Sequence, residues 1–117
     1  MMLPKEGSLL RVYVGESDKH LGKPLYEWIV LEARKRGLAG ATVLRGIEGF
    51  GAHSRLHTAK ILRLSEDLPI VIEIVDTREK IEGFVPMVDG AITEGLATIE
   101  DVTVHFYRSG GPRPSPA

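Results

Sequence analysis

Residues 46–58, GIEGFGAHSRLHT, set Gly46, Gly49 and Gly51 around Phe50 and follow them with His53, Arg55 and His57. Glycines at these points remove side chains, permit positive φ and let backbone N–H groups approach a ligand closely. Arg55, the two histidines and Lys60 add cationic or donor groups nearby. Successive backbone N–H groups beside Arg and Lys form a physically sensible phosphate or anion site. The same pattern also reads as a hairpin with a glycine bulge and a solvated polar tip. His53 and His57 are four residues apart, which on a helix would put two zinc ligands on one face. The glycines argue against a helix here, and neither His20 nor His105 is placed by sequence as a third ligand, so the expectation is solvated loop histidines and no metal. GIEGFG is neither a Walker motif nor a dinucleotide fingerprint.

A second polar cluster, Asp18, Lys19, His20 and Lys23 in GESDKHLGKP, lies at a strand-to-helix connection. The helix N-terminus would add partial positive charge there, although an ordinary capped loop accounts for the same residues. Ser17, Ser54 and Ser65 have no flanking motif that would activate a nucleophile, and Glu16 with Asp18 makes no defined acid–base pair. Binding is therefore expected rather than catalysis.

The elements that must position these residues follow from periodicity. Residues 9–14, LLRVYV, alternate as a strand with Leu10, Val12 and Val14 inward. Pro24 suits the first turn of a helix running to about Arg36, with Leu25, Trp28, Ile29 and Ala33 on one face and Gly37 as its stop. Residues 41–47, ATVLRGI, read as a second strand, and AKILRL, residues 59–64, as a short extended segment. IVIEIV, residues 70–75, has the β-branched character of a central strand. Asp76 and Glu79 resemble a capping box before a helix carrying Ile81, Phe84, Val85 and Val88, with Pro86 expected to kink it. VTVHFY, residues 102–107, reads as the last strand with Val102, Val104 and Phe106 inward.

Strand, helix, strand, strand, helix, strand is the ferredoxin-like βαββαβ sandwich, an α+β fold with an antiparallel sheet and two helices on one face. The other sheet face would then show Arg11, Tyr13, Leu44, Val71, Val75, Thr103 and Tyr107, too apolar for comfortable exposure. Oligomerisation around a symmetry axis would cover it. The 117 residues suit one domain, expected over 1–108, with a Gly/Pro-rich tail at 109–117 expected to be disordered. A net charge of -1 gives no global attraction to nucleic acid or membranes. The lack of cysteine excludes disulfides and thiolate metal sites. No apolar run reads as a signal peptide or a membrane span, so the cytoplasm is the expected location.

GATVLRGIEGFG followed by HTAK resembles the PII nitrogen-regulatory signalling proteins. Gly40, Thr42 and Val43 match their Gly-x-Thr-Val strand, Gly49, Phe50 and Gly51 their Gly-Phe-Gly, and His57 and Thr58 their His-Thr. With VYVGESDKHLGKPLYE, RGIEGFG and DLPIVIEIVD, the chain from about Leu9 to Arg108 is still more similar to the PII-like family called domain of unknown function 190. The resemblance implies a ferredoxin-like homotrimer with ligand clefts between subunits and a signalling role. It makes Gly46, Gly49, Phe50, Gly51, His53, Arg55 and His57 ligand-site candidates. Arg108 then resembles a phosphate-contacting arginine of the last PII strand.

Two departures bear on the ligand. The segment after Gly51 is shorter than the PII mobile loop, and DGAITEG offers Asp89, Gly90 and Gly95 without the lysine of the PII Gly-Asp-Gly-Lys loop. The implied ligand is an adenine-type nucleotide or similar small anion, and the implied partner a protein such as a membrane transporter, not nucleic acid. The alternatives are a divalent-metal-binding trimer resembling copper-tolerance proteins and a small enzyme with no recognisable motif.

Overall fold

The computed structural model describes residues 5–50, the backbone of 57 and 58, and residues 67–110. Its elements are β1 (Glu6–Gly15), α1 (Leu25–Lys35), β2 (Thr42–Arg45), β3 (Pro69–Asp76), α2 (Arg78–Ala91) and β4 (Leu96–Thr103). Across the sheet the strands run β2, β3, β1, β4, and every neighbouring pair is antiparallel. This is the ferredoxin-like sandwich, with β1 and β3 in the centre as the β-branched run of residues 70–75 requires.

Alternation builds the core. Leu10, Val12 and Val14 of β1 and Ile70, Ile72 and Ile74 of β3 are buried on one face. Leu25, Ile29 and Ala33 of α1 and Ile81, Phe84, Val88 and Ala91 of α2 cover them. Removing so much apolar area from water is the main force closing the sandwich. α1 stops at Gly37, whose φ of 76° suits the left-handed cap. α2 runs through Pro86, which lies on its exposed side.

Several boundaries depart from expectation. β1 begins at Glu6 rather than Leu9, and β2 occupies only Thr42–Arg45. The N-cap of α2 is Thr77, whose side chain accepts from Lys80 N; Asp76 is instead buried, and its carboxylate accepts from Ala39 N at 2.9 Å and Thr77 N at 2.6 Å. The last strand is Leu96–Thr103, six residues earlier than expected at its start. Its pairing puts Val102 opposite Gly7 on the helix-free face and Thr103 opposite Glu6 on the helix side, the reverse of the expected facing. Phe106 is exposed, and His105 and Tyr107 lie beyond the strand. The segment at 59–64 and most of the expected tail lie outside the described residues.

The helix-free face carries Leu9, Arg11 and Tyr13 of β1, Val71, Glu73 and Val75 of β3, and Leu44 of β2. Tyr13 is 37% and Leu44 48% exposed. Arg11 bridges this face, with Nε 2.9 Å from Glu73 and Nη1 3.1 Å from Glu100. Its hydrogen bond to Glu73 raises the guanidinium above its ordinary, already high, pKa.

Candidate functional site

The candidate site grows from the point where β2 ends and β3 begins. Gly46 N donates to the Pro69 carbonyl at 2.7 Å and extends the β2–β3 pairing by one residue. A Cβ on Gly46 would stand 2.8 Å from Pro69 Cγ, and one on Gly49 3.1 Å from the same atom. Neither glycine has positive φ: among the described glycines only Gly22, Gly37 and Gly110 do. Gly46 and Gly49 are therefore glycine because the Pro69 ring lies against the backbone, not because the chain needs a left-handed turn there.

Beyond this contact the chain forms the base of a hairpin. Glu48 pairs with Thr58 and Gly49 with His57 in an antiparallel ladder. Phe50 follows at 75% exposure, so its ring is available to another surface. The hairpin reading thus describes the frame of the segment. Gly51, His53 and Arg55, and the His57 side chain, lie outside the described residues.

Acidic groups hold the adjoining loop. Glu16 Oε1 takes Arg45 Nη2 at 2.9 Å and Leu68 N at 3.4 Å, while Glu16 N donates to the Leu68 carbonyl. Ser17 N donates to Asp67 Oδ1 and Gly15 N to Asp18 Oδ2, both at 2.9 Å. Asp18, singled out from the sequence as part of a polar cluster, thus closes a turn. Its carbonyl also accepts from Leu25 N at 2.7 Å, satisfying an N–H at the start of α1. Lys19 and His20 pair with Pro24 and Lys23 in a two-residue ladder, turned by Leu21 and Gly22 at φ 50° and 79°. His20 rests edge-on against Trp28, with ring centroids 4.3 Å apart. Sequence reasoning missed Glu16, Arg45 and Pro69 as site residues. Their link joins three separate stretches of chain, and no spacing within one stretch records it.

Arg108 does not join this group within one chain. Its guanidinium lies 4.3 Å from the centre of the Phe106 ring, a cation–π contact, and the intervening Tyr107 Oη donates to the Ala39 carbonyl at 3.0 Å. Ala39 and Thr103 belong to the end of the sheet where β1 starts, whereas Gly46 and Pro69 lie where β1 finishes. A strand of ten residues separates these ends by about 30 Å.

The two histidines weighed as a third metal ligand, His20 and His105, are also apart. His20 lies against Trp28, and His105 against Phe106 beyond β4. Among the described residues no three His, Cys, Asp or Glu side chains converge as a metal site. Among the described residues, cavities of about 180 Å³ (Arg36, Leu38, Lys80, Gly83, Phe84) and about 520 Å³ (including Glu6, Ser8, Arg78 and Asp101) lie at the end of the sheet remote from Gly46.

Comparison with known proteins places this geometry in context. The DUF190 family model, described as "Uncharacterized ACR", matches residues 7–104. A UPF0166 protein of Aquifex aeolicus strain VF5 is 42% identical over 98 residues, covering 84% of this chain and 92% of the relative. A UPF0166 protein of Methanocaldococcus jannaschii is 36% identical over 104 residues, covering 88% of this chain and 94% of the relative. Among solved structures, CPII from Thiomonas intermedia K12 is similar in fold. It is a nitrogen regulatory PII-like protein bound to ADP, AMP and bicarbonate, with a TM-score of 0.58 and 19% identity over 85% of this chain and 88% of that one. A second CPII structure, bound to ADP and bicarbonate, gives a TM-score of 0.56 at 20% identity, with the same coverage of both chains. At these identities the structural likeness establishes the shared fold.

Proposed function

The chain belongs to the DUF190 family, and on that premise we propose that it is a PII-like sensor. It assembles as a homotrimer and binds an adenine-type nucleotide or similar small anion in the clefts between subunits. The observation that carries this reading is the helix-free sheet face, where Tyr13 and Leu44 stay partly exposed beside Leu9, Val71 and Val75. A second copy of the chain covers such a face at the least cost, and its edge supplies the wall that residues 46–50 lack in one chain.

In this reading Gly51, His53, Arg55 and His57 contact the anion, and Phe50 stacks on a base or on the adjacent subunit. Arg108 reaches a cleft only from a neighbouring copy, which fits its distance from Gly46. The nucleotides and bicarbonate bound by CPII support the choice of ligand class. Ligand binding orders residues 50–58, and the ordered surface is read by a protein partner such as a membrane transporter. The reading assigns the chain no reaction of its own and a cytoplasmic location. No helix among the described residues is long and apolar enough to cross a membrane.

A thermal-shift screen of adenine nucleotides, bicarbonate and divalent metals, run beside light scattering, tests this. A ligand binding only the folded state at 100 times its Kd stabilises it by about 2.7 kcal/mol. Stabilisation by a nucleotide or bicarbonate of a trimer is the expected outcome. Stabilisation by a divalent metal alone, or a well-folded monomer at dilute concentration, would refute the reading.

A further inference from the structure

The inward face of β1 is apolar at Leu10, Val12 and Val14 but polar at Ser8, which is as fully buried as Leu10. Ser8 stands opposite Asp76 on β3 and Asp101 on β4. Its Oγ has no hydrogen-bond partner among the described residues. An orphaned buried hydroxyl is unfavourable, and alanine would fill the position without that cost. The same serine lines the cavity of about 520 Å³ beside the first turn of α2, with Glu6, Arg78, Asp101 and Thr103 around it. A single water takes about 30 Å³, so the space suits a small molecule.

The groups around this cavity carry both signs. Asp76 Oδ1 takes Thr77 N and Thr77 Oγ1 takes Lys80 N, so the N–H groups of Arg78 and Glu79 remain at the start of α2 without an intrahelical acceptor. They and the helix dipole favour a carboxylate or other anion. Arg78 adds its guanidinium. Its Nε and Nη1 donate to Glu82 at 2.6 Å and Asp101 at 3.0 Å, while Nη2 has no partner among the described residues. On the strand side, Glu6 makes no ion pair among the described residues, and Asp101 keeps a second carboxylate oxygen. A simple anion would meet Glu6 and Asp101, and a simple cation would meet Arg78 and the helix N-terminus. Like charge disfavours both. A molecule that carries both charges close together matches both walls, and an α-amino acid has that form.

We propose that this cavity is a second ligand site and that it takes a zwitterionic α-amino acid. The carboxylate accepts from Ser8 Oγ, Arg78 Nη2 and the first N–H groups of α2, and the ammonium donates to Glu6 and Asp101. The site lies on the helix side of the sheet, at the end away from Gly46, so it depends neither on the anion-binding segment nor on assembly. Nuclear magnetic resonance titration of the isotope-labelled full chain tests it, with the standard L-amino acids as probes and propionate and ethylamine as single-charge controls. At least one amino acid shifts the Ser8, Arg78 and Glu79 amide resonances, and both controls bind about tenfold more weakly or worse. Ser8→Ala melts no lower than the wild type, because it removes an orphaned hydroxyl, yet binds the amino acid about tenfold more weakly. Glu6→Gln changes an exposed side chain, keeps the fold and weakens the same binding by about as much. If Ser8→Ala fails to fold, Glu6→Gln alone decides. The proposal is overturned if no amino acid shifts these resonances, if either control binds as tightly as the amino acid, or if the folded variants bind as tightly as the wild type.

Discussion

Gly46 donates its N–H to the Pro69 carbonyl at 2.7 Å, and the ring of the same proline fills the space where a Gly46 side chain would stand. The contact fixes where the hairpin leaves the sheet. Gly46→Ala should therefore cost about 1–3 kcal/mol, because the Cβ meets a rigid ring and a backbone oxygen rather than the end of a flexible side chain. Pro69→Ala should relieve part of that cost, giving a coupling of roughly 0.5–2 kcal/mol in a double-mutant cycle read by urea denaturation. Additive losses would show that the two residues do not press on each other.

Asp76 and Thr77 both serve the N-terminal end of α2, but in different surroundings. Asp76→Ala orphans the Ala39 and Thr77 N–H groups at a buried position and should destabilise by about 2–4 kcal/mol. Thr77→Ala removes an N-cap at the helix end and should cost about 1 kcal/mol. Chemical denaturation of both variants tests the ranking, and a larger loss for Thr77 would contradict the assignment of roles.

Leu21 has φ 50° and is 80% exposed at the tip of its two-residue turn. The left-handed conformation costs a leucine roughly 1–2 kcal/mol, and a turn with positive φ at both centres favours Asn-Gly. Leu21→Asn should raise stability by about 0.5–1 kcal/mol in thermal and urea unfolding. A loss would mean that Leu21 makes a contact that its exposure conceals.

Elements with one buried face were legible in the sequence. Leu10, Val12 and Val14, the run at 70–75, and the apolar stripes of both helices announce themselves because burial forces a period on the chain. β4 was not legible in the same way. It is an edge strand whose residues are mostly exposed on both faces, so LATIEDVT carries no alternation, while VTVHFY, which overlaps its last two residues, alternates although only Val102 and Thr103 belong to the strand. The one-residue error in facing there turned Val102 and Thr103 to the wrong sides. At the site, the glycines were visible but their reason was not. Gly46 and Gly49 answer to Pro69, about twenty residues further on, and the Arg45–Glu16 pair joins β2 to the loop after β1. Asp76 looked like a cap because its neighbour, Thr77, is one.

The central claim is that residues 46–58 form an anion-binding segment on a PII-like frame. Calorimetric titration of ADP, AMP, ATP and bicarbonate into the wild type, Gly51→Val and Arg55→Ala proteins tests it most directly. The account predicts binding of at least one of these ligands by the wild type. It predicts weakening of about 1.5–3 kcal/mol in Arg55→Ala from loss of a charge-assisted hydrogen bond. It also predicts impaired binding by a still-folded Gly51→Val, where a β-branched side chain closes the backbone's approach to the ligand. No binding of any of the four, or equal affinity in all three proteins, would contradict it.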